Sequence, residues 1–360
     1  MFRTRTRYVA LLISLYILMG VAPVKAQTRI QGEEVTGGQN QQQQGGGSGV
    51  LLDHRELMRS FIQEISSYAR SQKRNFIVIA KGNLELLKKI DATEESAGTP
   101  ARAYMRSING VMEEGLFFGS KTVGQATPED MLAPRLELTE LAKKGRLKVL
   151  VMDYVSEAKQ ASQSYRLNSK KGYIPYAANA KGEDLNSIPP FSRTPINENP
   201  KSILSLREMK NFLYLGETSG FGRQDEFAFK LHDTNFDMLV VDVFHGDSPL
   251  SRQAIETLKY KKIGAKRLVL AHMDIGSAAS YNYFWKRDWR PGSPAWVSSP
   301  HKDNSDKYFV QYWHPGWQSI IFGDTNSYVY GLIAQGFDGV VIDGLEAYKF
   351  FIGGDDDDEE

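Results

Sequence analysis

Eight short apolar runs recur along the chain, and most of them lack the polar alternation of half-exposed strands. They are rich in Val, Ile, Leu and aromatic residues, which is the pattern of strands buried on both faces of a parallel sheet. The runs are Phe76–Ile79, Gly110–Phe118, Lys148–Val155, Gly172–Ala177, Phe212–Gly216, Phe236–Phe244, Arg267–Ile275 and Phe337–Asp343. We therefore predict eight parallel strands.

Segments with apolar residues at helical spacing separate most of these runs. The predicted helices are Leu57–Tyr68, Pro128–Lys144, Ser248–Lys262 and Trp317–Gln335. Thr127 stands at the N-cap position of the second helix, and Gly145 follows its end. The alternation predicts an α/β fold, a (β/α)₈ TIM barrel in a single domain, and an open doubly wound sheet is the alternative. We interpret one further run, Tyr308–Trp313, as an excursion in a loop.

The two ends of the chain differ from this pattern. Residues 1–26 combine three arginines, a short apolar run and a Val-Lys-Ala ending, which predicts a signal peptide and a secreted or periplasmic protein. The alternative is an uncleaved membrane anchor. Residues 27–50 are rich in Gln and Gly and predict a disordered linker. Residues 51–353 would form the barrel, and residues 354–360 a disordered acidic tail.

Composition narrows the function classes. The net charge is +1, so the chain lacks the basic field of nucleic-acid-binding proteins, and we expect no membrane contact after signal cleavage. There are no cysteines, which excludes disulfides, zinc–thiolate sites and cysteine nucleophiles. The six histidines are scattered, and no nucleotide-binding motif occurs. We expect a monomer without metal or cofactor.

Several strands end in acidic residues: Asp242, Asp343 and Asp153 follow apolar runs, and Glu113 and Glu114 are adjacent on another. The carboxyl ends of barrel strands all face one mouth. A carboxylate is costly to bury alone, so these acids need partners or water, and the alternative is that they cap helices or pair with Arg and Lys. Because side chains alternate along a strand, only one of the two glutamates can face the mouth.

Aromatic residues stand beside these acids or in nearby loops. They are Phe244, Tyr281, Tyr283, Phe284, Trp285, Trp289, Trp296, Tyr312, Trp313 and Tyr348. Aromatic faces can stack on the C–H faces of sugar rings, and ordinary packing is the alternative. Carboxylates and aromatics in one mouth indicate glycoside hydrolysis, in which one acid protonates the leaving oxygen and another acts as nucleophile or base.

Four segments of the second half carry a family resemblance. They read FDMLVVDVFHGD, AHMDIGSAASYNYFW, KYFVQYWHPGWQ and GFDGVVIDGLEAYK. The chain here resembles glycoside hydrolase family 114, the endo-α-1,4-polygalactosaminidase type, whose pattern GFDGVyLDivDAYe is close to the last segment. Family segments that follow this one in the relatives stand at the front here, from Leu57 onward, as INGVMEEGLFF, VLVMDYV and GYIPYAA. The resemblance covers residues 55–352 and implies a circular permutation, with family strands five to eight before strands one to four.

The resemblance implies roles for individual residues. Asp343 and Glu114 would be the catalytic carboxylates, with Glu114 as the acid because apolar residues surround it. The expected substrate contacts are Asp242, Asp153, Tyr154, Glu346, Tyr348, Asp274, Tyr283, Trp285, Tyr312 and Trp313. The implied function is a secreted glycoside hydrolase acting on an extracellular polysaccharide or oligosaccharide, with galactosamine-containing polymers as candidates.

The chain departs from the family at several polar positions. Ser277 and Ala279 replace two glutamates, Asn282 and Gln311 replace two arginines, and Lys81 replaces a glutamine. The alternative function is therefore a catalytically degenerate polysaccharide-binding barrel.

The permuted order also makes a geometric prediction. In a closed barrel every strand pairs on both sides. Phe76–Ile79 should then pair in parallel with Phe337–Asp343, and Gly172–Ala177 with Phe212–Gly216.

Overall fold

A computed structural model describes residues 52–91 and 94–353 of the chain. The predicted signal peptide at 1–26, the linker at 27–50 and the tail at 354–360 lie outside the described residues.

Eight parallel strands form one sheet that curls into a nearly closed barrel, so the predicted TIM-type α/β fold is confirmed. The strands are β1 (Ile77–Lys81), β2 (Gly110–Glu114), β3 (Lys148–Tyr154), β4 (Ile174–Ala178), β5 (Leu213–Tyr214), β6 (Met238–Val241), β7 (Leu268–Asp274) and β8 (Gly339–Asp343). Their spatial order is β4-β3-β2-β1-β8-β7-β6-β5. Their Val, Ile, Leu and Met side chains are buried, as the uninterrupted apolar runs predicted.

The predicted pairing of the first and last strands is confirmed. Ile77 lies opposite Gly339, and the register continues to Ala80 opposite Ile342. Gly339 permits this approach, because a Cβ there would lie 2.3 Å from the carbonyl oxygen of Ile77.

The predicted pairing of β4 with β5 is wrong. No hydrogen-bonded ladder joins these two strands in the described residues. The rings of Tyr176 and Phe212 meet across the gap instead, with centroids 5.7 Å apart. The physical reason is the shortness of β5, which offers two residues after a long connection from β4.

Nine helices accompany the strands in the described residues. They are α1 (His54–Gln72), α2 (Arg102–Ser107), α3 (Glu129–Lys144), α4 (Ala158–Lys171), α5 (Gln224–His232), α6 (Arg252–Leu258), α7 (Pro315–Ile321), α8 (Tyr328–Gln335) and α9 (Ala347–Phe351). Helix α1 packs against α2 and α8, and so bridges the beginning and the end of the chain. Short 3₁₀ turns occupy Leu84–Leu87, Gly182–Asp184, Pro190–Ser192 and Ser219–Phe221.

The predicted helix at Leu57–Tyr68 exists and extends further at both ends as α1. The interpretation of Thr127 as an N-cap is wrong, because Pro128 takes that position in α3. The Thr127 hydroxyl donates instead to the carbonyl oxygen of Gly115, 2.8 Å away. Gly145 does end the helix as predicted.

Two other helix predictions need correction. The helix predicted from Ser248 begins at Arg252, with the hydroxyl of Ser251 accepting the N–H of Ala254 at 3.1 Å. Ser248–Pro249 pairs as a short antiparallel strand, because its backbone groups are taken by Phe244–His245. The helix predicted at Trp317–Gln335 is two helices, α7 and α8, since the glycine- and asparagine-containing stretch between them is not helical.

Two insertions leave the barrel. After β1, an antiparallel hairpin joins Lys88–Asp91 with Glu94–Pro100. After β7, the strands Ser277–Ala279, Val297–Pro300 and Lys307–Val310 form a small antiparallel sheet. This second insertion confirms the interpretation of the run near Tyr308 as an excursion. None of the helices within 52–91 and 94–353 has the length and apolar content needed to cross a membrane.

Candidate functional site

The ammonium group of Lys81, at the end of β1, lies between two acids at the barrel mouth. Its Nζ is 2.9 Å from Glu114 Oε2 and 2.8 Å from Asp343 Oδ2. Glu114 ends β2 and Asp343 ends β8, and these strands flank β1 on either side. The two acids predicted from the sequence therefore both contact Lys81. The sum of the two distances is the upper limit on the separation between Glu114 Oε2 and Asp343 Oδ2.

Asp343 is held as a carboxylate. Its Oδ2 also lies 2.8 Å from Nε2 of His272, on the neighbouring strand β7. Burial acts to raise the pKa of Asp343, but Lys81 and His272 hold it well below its usual range. Burial likewise opposes the charge of Lys81, and the two carboxylates nevertheless raise the Lys81 pKa well above its ordinary value.

Glu114 contacts two groups of the mouth, one through each carboxylate oxygen. Its Oε1 accepts the hydroxyl of Tyr154, while its Oε2 faces Lys81. Burial and then the Glu114 charge raise the pKa of Tyr154, so this phenol keeps its proton. Glu114 as the general acid stays a prediction.

The residue before Glu114 points the other way, as strand alternation predicted. Glu113 is buried, and its Oε1 accepts from Nε of Arg135 on α3 at 2.6 Å. The same guanidinium donates to the carbonyl oxygens of Glu114 and Gly115. Arg135 thereby fixes the backbone that presents Glu114 to the mouth.

A second acidic centre lies beside the first. Asp274, at the end of β7, stands opposite Asp343 in the sheet register. Its Oδ1 accepts the N–H groups of Gly276 and Ser277 at 2.9 and 3.0 Å, and its Oδ2 is 2.8 Å from Nζ of Lys307. These contacts attach the excursion to the mouth.

Gly344 allows the ends of β7 and β8 to approach each other. Its φ is +76°, in the left-handed region. A Cβ there would lie 2.0 Å from Oδ1 of Asp274, and a Cβ on Gly276 would lie 1.9 Å from the carbonyl oxygen of Gly344. The close packing of Asp274 against the β8 turn therefore requires glycine at both positions.

Glu346 follows β8 and caps α9. Its Oε2 receives a long contact of 3.4 Å from Nδ2 of Asn83. Desolvation by the surrounding protein, and after it the charges of Asp343 and Asp274, raise the pKa of Glu346 to about 7. The side chain nevertheless reaches solvent at the rim of the mouth.

Asp242 and an aromatic row form another part of the mouth. Asp242 Oδ1 accepts the N–H of Phe244 at 2.9 Å, and burial raises its pKa. The Tyr283 ring lies 5.7 Å from Phe244 and 5.7 Å from Tyr328, tilted by 33° in both pairs. Tyr283 is 55% exposed, so the row has an open face.

Asp153 does not line the mouth, although the sequence placed it among the substrate contacts. It is fully buried. Its Oδ1 accepts the N–H groups of Phe117 and Phe118, and its Oδ2 accepts from Ser164 Oγ at 2.6 Å and Asn168 Nδ2 at 3.0 Å. Both oxygens are occupied by the chain itself, and the residue supports the loop that follows β2.

Two of the predicted contact tyrosines are also buried. The hydroxyl of Tyr312 donates to the carbonyl oxygen of His54 at 2.8 Å. That of Tyr348 donates to Oε1 of Glu85 at 2.7 Å. Both tyrosines tie later segments of the chain to early ones, and their hydroxyls are already paired.

The two predicted tryptophan contacts pack within the protein. Trp313 lies against His54, with ring centroids 4.8 Å apart. Trp285 stacks on Tyr308 at 5.1 Å and 18°. Trp285 belongs to the excursion and is partly buried there.

Sequence analysis did not identify three residues that organise this mouth. They are Lys81, Lys307 and Tyr214, whose ring lies edge-on to His272. That ring lies 5.9 Å from Lys81 Nζ and 5.9 Å from His272. A signal existed for Lys81, since it ends an apolar strand just as Asp343 does. Within the described ranges, no group of three or more His, Asp or Glu side chains is arranged to hold a metal ion.

Comparison with known proteins gives partial matches. No known family model matches the chain. An uncharacterised protein of Deinococcus radiodurans is 33% identical over 133 residues, which is 37% of this chain and 40% of that protein. An uncharacterised protein of Methanocaldococcus jannaschii is 30% identical over 159 residues, 42% and 44% of the two chains. One of Thermotoga maritima is 27% identical over 128 residues, 36% and 38%. The matches span less than half of each relative.

Proposed function

We propose that this chain is a secreted glycoside hydrolase that cleaves an extracellular polysaccharide at the mouth containing Asp343 and Glu114, with galactosamine-containing polymers as the first candidates. The observation that carries the proposal is the meeting of these two carboxylates at Lys81. Asp343 is held ionised by Lys81 and His272. A carboxylate that is held in its charged form suits a nucleophile at the anomeric carbon.

With Glu114 as the acid, the spacing of Asp343 and Glu114 favours a retaining mechanism. The distances from Lys81 Nζ to Asp343 and Glu114 are 2.8 and 2.9 Å. The bridged oxygens are therefore closer than the separation of about 6.5–9.5 Å found in inverting enzymes, and compatible with the roughly 5–5.5 Å of retaining ones.

Matches limited to part of the chain are compatible with a permuted segment order. One continuous alignment can follow only one of two exchanged segments. Matches that cover 36% to 42% of this chain are compatible with such an exchange. The open aromatic row around Tyr283 supports a saccharide substrate, because exposed rings can stack on sugar faces.

The test is release of reducing ends from purified galactosaminogalactan. Asp343→Asn and Glu114→Gln should each lower the rate at least about 100-fold. Asp233→Asn is the control, because Asp233 is 59% exposed and pairs with Lys262 instead of the mouth lysine. No release by the wild type, or full activity of Asp343→Asn, would contradict the proposal.

The second candidate is a polysaccharide-binding barrel without turnover. Lys81 favours it, since its ammonium occupies the space between the two acids. Ser277 and Ala279 favour it as well, because they replace two family glutamates. Calorimetric binding of galactosaminogalactan without any release of reducing ends would select this candidate.

A further inference from the structure

The proposed function needs a proton donor, and the two predicted catalytic acids are poorly placed to be one. Glu114 accepts from Tyr154 on one oxygen and Lys81 on the other. Asp343 accepts the N–H of Gly344 at 2.9 Å on one oxygen and faces Lys81 and His272 on the other. Every one of these contacts comes from a donor, and both acids share the ammonium of Lys81, whose positive charge opposes protonation of Asp343.

The same is true of Asp274. Two backbone N–H groups occupy its Oδ1, and Lys307 occupies its Oδ2. Asp242 accepts the N–H of Phe244, and burial raises its pKa, but its side chain is less exposed than that of Glu346 and so less accessible to a substrate.

Glu346 differs from the first three acids in its partners and from Asp242 in its exposure. Within the described part of the chain no lysine or arginine forms an ion pair with it, and its side-chain contact is the long one from Asn83. It is also exposed, so it can reach a bound substrate. We propose that Glu346 is the general acid and base of the mouth, and this inference rests on the proposed function.

The charges around Glu346 support this role. The charges that act on its pKa are those of Asp343 on β8, Asp274 on β7 and Lys307 in the excursion. The two carboxylates outweigh the lysine, and together with desolvation they raise the pKa of Glu346 to about 7. Like charges disfavour a third ionised carboxylate, so Glu346 holds its proton under conditions in which Asp343 has lost its own.

The chemistry balances with one water. The proton of Glu346 passes to the bridging oxygen as that oxygen leaves the anomeric carbon, and the Asp343 carboxylate bonds to the same carbon. The leaving sugar departs as a neutral alcohol. Water then gives a proton to the Glu346 carboxylate while its oxygen displaces Asp343. Both acids return to their starting forms.

The pH dependence follows from this assignment. Glu346 must be protonated for the first step, so kcat/KM should be high below pH 7 and fall as the pH rises through about 7. Asp343 must be ionised, and its lowered pKa keeps it so across that range. Glu346→Gln should abolish the fall near pH 7.

The experiment compares two substrates. On galactosaminogalactan, Glu346→Gln should lower kcat/KM by about 10²–10⁴-fold. On 2,4-dinitrophenyl galactosaminide, whose leaving group needs no proton, its first turnover should stay near the wild-type rate. Asp233→Asn should match the wild type on both. A carbon-13 titration of the carboxyl groups should show a signal that titrates near pH 7 and is missing in Glu346→Gln.

The outcomes separate the two proposals. Release by the wild type, with Glu346→Gln keeping its rate or the fall near pH 7, overturns the assignment of Glu346 alone. The assignment is also overturned if Glu114→Gln, and not Glu346→Gln, loses activity on the polysaccharide but keeps the first turnover of the dinitrophenyl substrate. That result would make Glu114 the donor. No release from either substrate by the wild type overturns the proposed function and this inference with it.

Discussion

Replacing Lys81 with methionine removes the positive charge between two acids and keeps an unbranched side chain of similar length. The lysine side chain is 13% exposed, and those of Asp343 and Glu114 are 23% and 32% exposed. Without the ammonium the two carboxylates face each other across a poorly hydrated space. One of them should then take up a proton, because like charges at this distance disfavour double ionisation.

The expected cost follows from the burial of the pair. Removing one partner of a buried ion pair costs about 3–5 kcal/mol of unfolding free energy, and the residual solvent access of the acids places Lys81→Met near 3 kcal/mol at pH 7. Lys262→Met is the matched control. Its Nζ is 2.9 Å from Asp233 Oδ1, but the two side chains are 58% and 59% exposed. Such a surface pair contributes less than about 1 kcal/mol.

The cost should depend on pH. In the wild type the pKa of Asp343 lies below its unfolded value, so its contribution to stability is present above that value and is lost as the pH falls through the folded pKa. In Lys81→Met one carboxyl of the pair has a raised pKa, so the variant regains stability as the pH falls. The gap between the two proteins should therefore be largest at pH 7 and narrower near pH 4.

Urea denaturation of the wild type, Lys81→Met and Lys262→Met at pH 7 and pH 4 measures these differences. A loss for Lys81→Met no larger than for Lys262→Met would refute the argument from burial. A gap of equal size at both pH values would refute the argument from carboxylate repulsion.

Three further outcomes are expected. Gly344→Ala should lower the unfolding free energy by about 1–3 kcal/mol in urea denaturation, because its φ of +76° disfavours a side chain and a Cβ would meet Asp274; equal stability would contradict the close approach. Asp153→Ala should cost at least about 3 kcal/mol in the same assay, because it leaves several buried donors unpaired. Tyr283→Ala should raise KM for the polysaccharide several-fold with little change in Tm, since its ring is largely exposed; an unchanged KM would remove the aromatic row from the binding site.

The strands could be predicted because burial on both faces leaves an uninterrupted apolar pattern. The neighbouring positions of β1 and β8 could be predicted because a permuted barrel must close there. The ends of the helices were harder to predict from the sequence. Ser248 carries the same N-cap signal as Ser251, and which one begins the helix depends on whether Phe244–His245 pairs with the segment before it.

The candidate site was predictable in part. Asp153 and Asp343 both end apolar strands, and the sequence near them does not separate their roles. The difference arises from α4, where Ser164 and Asn168 donate hydrogen bonds to the carboxylate of Asp153. Lys81 was missed as an organiser because its partners come from two other strands, a relation that the local pattern does not contain.

The link between Lys81 and Asp343 joins positions 262 residues apart in the chain. Closing so long a loop is entropically slow, and nearly the whole polypeptide must be synthesised before the second partner exists. During synthesis the central ion pair therefore cannot form until nearly the whole chain has been made. A chain that stops before Gly339 has the lysine and lacks both β8 and the acid that faces it. Loss of the final strand would consequently remove the acid and also the strand that joins β1 to β7, so the mouth and the continuity of the sheet depend on the same segment.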